Sequence, residues 1–303
     1  MELTSFKSLF EFAKEKAPMR VAVVGANEET VIEATLKASR KRLILPVFIG
    51  DKNKVPEQYS HILNEFEYID IADTAKAAEY AVDLWLNNQT DLLMKGLIST
   101  SELLHYVLKK RNEIMDNNLL SHFALFNSDH YHKCFGVTDV AINIAPNVLN
   151  RISIIRNSIK AFNSLHIQKP KVALLSAVEK VSTKIDSTVE SQEIQKVIQV
   201  TPDIDCDISG PLSFDLAISS EAARIKQFNG GVAGNADLLV VPELISGNIL
   251  YKSLTYMAKA KCASVVLGAK APIILTSRAD ELKSKYYSIV LGVALTDIKD
   301  TLN

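Results

Sequence analysis

Three segments of the chain gather side chains able to hold an anion, each where an apolar run gives way to a polar turn and then to helical periodicity. In LLMKGLISTSELLHYVL these are Lys95, Gly96 and the hydroxyls of Ser99, Thr100 and Ser101. In VVPELISGNILYKSLTY, Gly247 and Asn248 introduce a helix that carries Tyr251 and Lys252. In APIILTSRADELKSK, Thr276, Ser277 and Arg278 stand between a strand end and a helix start, with Asp280 two residues beyond. Free amides and the dipole at a helix start favour negative charge. Together with hydroxyls, one guanidinium and two ammonium groups they form the donor set that a phosphate-bearing substrate requires. Each segment also has a plainer reading: Ser99 and Ser277 as N-caps, Gly247 with Asn248 as a turn before a helix, Lys95 and Lys252 as solvated side chains.

Other chemistries have less support. None of the eleven glycines forms GxGxxG or GxxxxGK[ST], so neither a dinucleotide fingerprint nor a P-loop is present. There is no GxSxG elbow, and the three cysteines, Cys134, Cys206 and Cys262, are far apart and show no CxxC. They read as buried reduced thiols. His130 and His132 in NSDHYHK, with Asp129, are a conceivable metal set, but a polar hairpin tip between two apolar runs explains the same residues. No metal is expected.

The elements that must position these residues follow from the apolar pattern. With 34 basic against 35 acidic side chains, the charge balance excludes a nucleic-acid binder that relies on bulk positive charge. No window reaches a spanning length of apolar residues, and the charged start MELTSFKSLFEFAKEK is no signal core, so the expected location is cytoplasmic. Short β-branched runs, such as 20–25, 45–50, 91–96, 122–126, 171–176, 206–210, 237–242, 264–268 and 272–276, alternate with helical stretches at 28–41, 74–86, 101–112, 147–162, 187–200 and 248–260. This alternation predicts an α/β protein with a parallel sheet. Hydroxyl–carboxylate pairs at Ser99/Glu102, Ser187/Glu190 and Ser277/Asp280 predict capped helix starts.

The strings DLLMKGLIST, SHFALF, TDVAINIAPN, SGPLSFDLAIS, VAGNADLLVVPELISGNILYKSLTY and GAKAPIILTSRAD resemble, in order and over nearly the whole chain from Arg20, the phosphate acetyl/butyryl transferases, on the butyryl side of that family. The resemblance implies two α/β/α domains of the isocitrate and isopropylmalate dehydrogenase type, with the active site in the interdomain cleft. Residues 1–145 and 271–303 would form the first, discontinuous domain and 146–270 the second. It implies a homo-oligomer with no permanently bound cofactor and coenzyme A as a substrate: acyl-CoA plus phosphate gives acyl phosphate plus CoA.

By the same resemblance Ser277 and Arg278 take the place of the serine–arginine pair in the active site of the acetyl-specific relatives. Those relatives carry an aspartate seven positions past the serine, where this chain has Ser284, so Asp280 becomes the candidate base, or else the carboxylate of a capping box. Ser99 and Thr100 are assigned to phosphate and Lys252 to electrostatic support. A metal- and NAD-dependent hydroxy-acid dehydrogenase of the same fold and a non-catalytic CoA-binding relative are the competing readings.

Overall fold

The structure is a computed structural model, and it describes residues 3–110, 119–228 and 230–296. Contacts divide the chain into two compact units. The terminal unit takes the described residues of Leu9–Asp116 and Ala263–Asn303, and the middle unit those of Met1–Ser8 and Asn117–Cys262. These breaks fall after 116 and 262, whereas the sequence reading put them after 145 and 270. Strand pairing accounts for the position of 121–138: β5 (Ser121–Asn127) and β6 (Phe135–Thr138) form an antiparallel hairpin, and β6 then pairs with β9 (Leu238–Val240).

The terminal unit is built on the strand order β3-β2-β1-β4-β11-β10, where β1 is Met19–Val24, β2 Ile44–Gly50, β3 Glu67–Asp70, β4 Leu92–Lys95, β10 Lys261–Leu267 and β11 Ile273–Ile274. All its pairings are parallel except β10 with β11. Val21 to Val24 and Leu92 to Met94 have no exposed surface, as expected of strands covered on both faces. Its helices are α1 (Phe6–Lys16), entered from the middle unit, α2 (Glu29–Arg40), the single turn α3 (Ile62–Glu65), α4 (Thr74–Leu86) and α5 (Thr100–Lys109).

The middle unit has the order β5-β6-β9-β7-β8, with β7 Lys171–Leu175 and β8 Asp207–Leu212, parallel beyond the β5/β6 hairpin. Its helices are α6 (Val148–Ser164), α7 (Asp186–Ile198), α8 (Phe214–Ile218), α9 (Ser220–Ile225) and α10 (Leu244–Lys252), the last continued by one π-helical turn at Ser253–Met257. The chain then returns to the terminal unit, where α11 (Leu282–Leu295) packs against α2.

The α/β alternation holds, but the sheet is mixed rather than parallel. Residues 128–134 form the polar hairpin connection read from NSDHYH, with His132 Nε2 lying 3.1 Å from Asn235 Oδ1. The helix expected over 101–112 begins at Thr100, and its last two residues lie outside the described ones.

One backbone constraint shapes the edge of the terminal sheet. The turns after β1 and β4 interlock, with Gly96 N–H donating to Val24 O at 2.7 Å and Leu97 N–H to Gly25 O at 2.8 Å. A Cβ on Gly96 would lie 2.5 Å from both Val24 O and Gly25 O, and Gly25 has a φ of +68° that favours glycine. Gly96→Ala is therefore expected to lower the unfolding free energy by at least about 2 kcal/mol. Gly231→Ala, where a Cβ meets nothing within 4 Å, should change it by less than about 0.5 kcal/mol. Urea denaturation of the two variants beside the parent checks this.

Candidate active site

Parallel neighbours end on the same side, so the loops after β1, β4 and β11 leave the terminal sheet at one edge. The strand order also reverses there: from β1 the chain winds outward through β2 to β3, then returns to place β4 on the other side. In open α/β sheets such a reversal opens a crevice at the carboxyl ends of the strands. Six of the nine residues singled out in the sequence belong to these strand ends, loops or the helix starts that follow: Lys95, Ser99, Thr100, Ser277, Arg278 and Asp280.

Lys95 ends β4 and is 6% exposed. Its ammonium donates to Gly96 O and to Thr276 O, each at 3.3 Å, so the buried lysine joins the loop after β4 to the segment after β11. Burial pushes its pKa below the ordinary lysine value. Glu28 opposes that shift, whereas the positive charges of Arg278 and Lys285 reinforce it. Ser99 is the N-cap of α5, its Oγ accepting from Glu102 N–H at 3.1 Å, and Thr100 is the first helical residue. The cap and the anion-facing reading are compatible, because the capped turn still presents helix-start amides.

The Ser277–Asp280 turn is closed from within. Ser277 N–H donates to Asp280 Oδ2 at 2.7 Å, Asp280 N–H to Ser277 O at 3.1 Å, and Ala279 N–H to Ser277 Oγ at 3.3 Å. The expected helix start at Ser277 is not there. Helix α11 begins at Leu282 with Glu281 as N-cap, so the serine and carboxylate shape a free-standing turn. Ser277 and Arg278 are exposed, and no hydrogen bond or ion pair of the Arg278 guanidinium is formed among the described residues.

Two residues that the sequence reading did not single out complete this edge. Lys285, in the first turn of α11, is 1% exposed, and its ammonium donates to Glu28 Oε1 at 2.8 Å, Asp280 O at 3.1 Å and Arg278 O at 3.4 Å. Glu28 occupies the N-cap position of α2, yet makes no cap bond. Instead its carboxylate accepts from Lys285 and, at 2.7 Å, from Thr30 Oγ1. Burial alone would raise the Glu28 carboxyl, but the bonds from Lys285 and Thr30 and the charges of Lys285 and Lys95 outweigh it, and its pKa sits below the ordinary value. The available signal is a lysine directly before the largely apolar run YYSIVLGVAL, at the start of a helix that must be buried, where a charge needs a partner.

The remaining three residues lie in the middle unit. Gly247 and Asn248 do not form a turn before a helix; they sit inside α10, which begins at Leu244 with Glu243 as its cap, accepting from Ile245 N–H and Ser246 N–H. Close packing explains the glycine, since a Cβ there would lie 2.7 Å from Asp139 O. Asn248 Nδ2 donates to Val140 O at 3.4 Å, and Lys252 is exposed at the end of α10. Ser187, expected as a cap, is likewise inside its helix, α7, where its hydroxyl meets Ser176 Oγ at 2.7 Å.

Charge compensation separates the groups of the terminal edge. Lys285 is ion-paired with Glu28, whereas Lys95 donates to the carbonyl oxygens of Gly96 and Thr276, with Glu28 acting on it as a nearby charge, and Arg278 is exposed. The result is a positive edge of hydroxyls, amides and cations. Residues 76–293 match the family model described as phosphate acetyl/butaryl transferase. The chain belongs to that family. It is therefore an enzyme of the phosphate acyltransferase type, as the motif strings imply.

This acyltransferase is similar to the phosphate butyryltransferase of Clostridium acetobutylicum, 34% identical over 300 residues that cover 98% of this chain and 100% of the relative. Among solved structures it is similar to a branched-chain phosphotransacylase from Enterococcus faecalis V583, with a TM-score of 0.84 and 33% identity, covering 92% of this chain and 99% of that one. A 4-hydroxythreonine-4-phosphate dehydrogenase from Klebsiella pneumoniae shares the fold alone, at a TM-score of 0.59 and 10% identity over 92% of this chain and 99% of that one. The dehydrogenase-like α/β architecture of the acyltransferase agrees with that likeness of fold.

A depressed carboxyl contributes stability that is present above its ordinary pKa and lost as pH falls through its folded-state value. Glu28→Gln is accordingly expected to destabilise the acyltransferase by roughly 3 kcal/mol at neutral pH, because it leaves the Lys285 ammonium buried without a counter-charge. The gap between the two proteins should narrow on acidification through and below the glutamate range. Urea midpoints across a pH series measure it.

Proposed function

We propose that this phosphate acyltransferase moves a short acyl group, butyryl in preference to acetyl, between coenzyme A and inorganic phosphate in a ternary complex without an acyl-enzyme. The CoA thiolate attacks the carbonyl carbon of the acyl phosphate, a C–S bond forms, and a tetrahedral oxyanion develops. Its collapse breaks the bond between that carbon and the bridging oxygen, and the oxygen leaves with the electron pair as part of inorganic phosphate. A free thiol titrates near 8.5, so a base or a positive field is needed to raise the thiolate fraction at neutral pH.

The observation that carries this reading is a pair of cations that form no ion pair among the described residues, Lys95 and Arg278, beside a capped helix start. Arg278 neutralises phosphate and the charge that grows on the bridging oxygen, a task suited to a guanidinium fork. Ser277 donates to the oxyanion or to phosphate. Lys95, with Ser99 and Thr100, completes the phosphate cradle. Asp280, oriented by the Ser277 amide at 2.7 Å, takes the thiol proton. Of the three residues in the middle unit, Lys252 is read as electrostatic support for an anionic substrate, and Gly247 with Asn248 as shaping the helix that carries it.

The active form is read as a homo-oligomer in the cytoplasm. Exposed Ile245, Ile249, Tyr256 and Met257 along α10 and its π-helical turn support association, and three free cysteines support a reducing compartment. Sedimentation equilibrium should give a mass at least twice that of one chain.

Phosphate-dependent CoA release, followed with a thiol reagent over acetyl-, propionyl-, butyryl- and branched acyl-CoA, should show the highest kcat/KM with a four-carbon or branched acyl chain. One methylene is worth only about 1 to 3 kcal/mol in a pocket, so activity should decline gradually along the series. Arg278→Ala should lower turnover in both directions by at least about a hundredfold with the fold intact. Near-normal turnover would remove Arg278 from the mechanism.

A further inference from the structure

The Ser277–Asp280 turn follows the last β11 pairing, at Ile274, and precedes the first residue of α11 at Leu282, so it lies outside both the sheet ladder and the helix. Its internal bonds give it a shape but not a place. Two buried lysines bind it to the body of the unit, Lys95 through Thr276 O at the entering end and Lys285 through Arg278 O and Asp280 O at the leaving end.

An ammonium has three protons, and Lys285 directs them at three acceptors, one carboxylate oxygen and two carbonyls of this turn. Withdrawing such a group from water is costly, and a well-packed apolar side chain often serves stability as well or better. Packing α11 on α2 therefore does not by itself call for a lysine here. What the ammonium does, and an apolar group cannot, is fix the carbonyl of Arg278, and with it the direction from which that side chain leaves the backbone.

We propose that Lys285 is a positioning residue for acyl transfer: paired with Glu28, it grips the Arg278 and Asp280 carbonyls so that the Arg278 guanidinium and the Ser277 hydroxyl meet phosphate in one arrangement. This rests on the reading that Arg278 contacts phosphate. Lys285 itself is sealed beneath the turn and touches no substrate. A misplacement of about 1 Å at a reacting centre can cost about a hundredfold in rate, so a loosened turn is expected to act on kcat/KM with the fold retained.

A double-mutant cycle on the full chain tests this, with kcat and KM for phosphate measured on butyryl-CoA and far-UV circular dichroism as the check on folding. Lys285→Met should lower kcat/KM by roughly thirtyfold to a hundredfold in the parent, but by less than about threefold when Arg278→Ala is already present, because its effect passes through Arg278. The pair Glu28→Gln/Lys285→Met, which leaves no buried charge without a partner, should fold and show the same dependence on Arg278. An equal loss in both backgrounds would overturn the proposal, since a general weakening of the structure acts whether or not Arg278 is present. If neither Lys285 variant folds, the residue belongs to the fold and the proposal fails. If Arg278→Ala alone leaves turnover near normal, the reading of the site fails first, an outcome distinguishable from the others before Lys285 is altered.

Discussion

The buried ammonium of Lys285 is the point on which the terminal edge of the molecule depends. It draws together the first turn of α11, the residue before α2 and the Ser277–Asp280 turn, segments separated by up to 257 positions in the chain. Coulomb attraction to Glu28 makes the burial tolerable, and the two carbonyls use the protons that the carboxylate leaves over. Because α11 also packs on α2, the ion pair and the apolar contact act in the same direction, each making the other's geometry more probable.

Cations in this protein sort by the company they keep. In the middle unit Lys133 bonds Asp237 at 2.6 Å and the buried Arg151 bonds Glu190 at 2.8 Å, so each has a carboxylate. In the terminal unit Lys285 is likewise paired, while Lys95 has carbonyl partners and Arg278 is presented outward. A buried cation hydrogen-bonded to carbonyls, with no carboxylate bonded to it among the described residues, adds positive character to the edge that is suited to a phosphate group. The glycine interlock at Gly25 and Gly96 brings the β1 and β4 turns close enough for Lys95 and Glu28 to influence one another.

Much of the fold was legible in the sequence, because buried strands and amphipathic helices leave periodic traces. Helix 74–86 is found at the expected positions, and most of the expected strands appear within a few residues. Misreadings occur where a local signal competes with packing. Gly247 and Asn248 look like a turn, yet they lie inside α10, which begins at Leu244 after the Glu243 cap, and the glycine is there because a Cβ would lie 2.7 Å from Asp139 O. The Ser277/Asp280 pair looks like a helix cap, and the same hydrogen-bonding groups close a turn that ends two residues before the helix begins. The short strands β3 and β6 carry too little periodicity to be read without their partners.

The sequence by itself determined the α/β class, the near-neutral charge, the family to which the chain belongs, and the hydroxyl and cationic groups able to receive an anion. These are properties of composition and of local order along the chain, and no folding is needed to read them. Tertiary structure alone decided which of those groups share an edge, that Lys95 is buried against carbonyls, and that Lys285 and Glu28 hold the Arg278 turn. Such relations depend on distances between segments far apart in sequence, set when parallel strands align their ends and a buried charge must find its counter-charge.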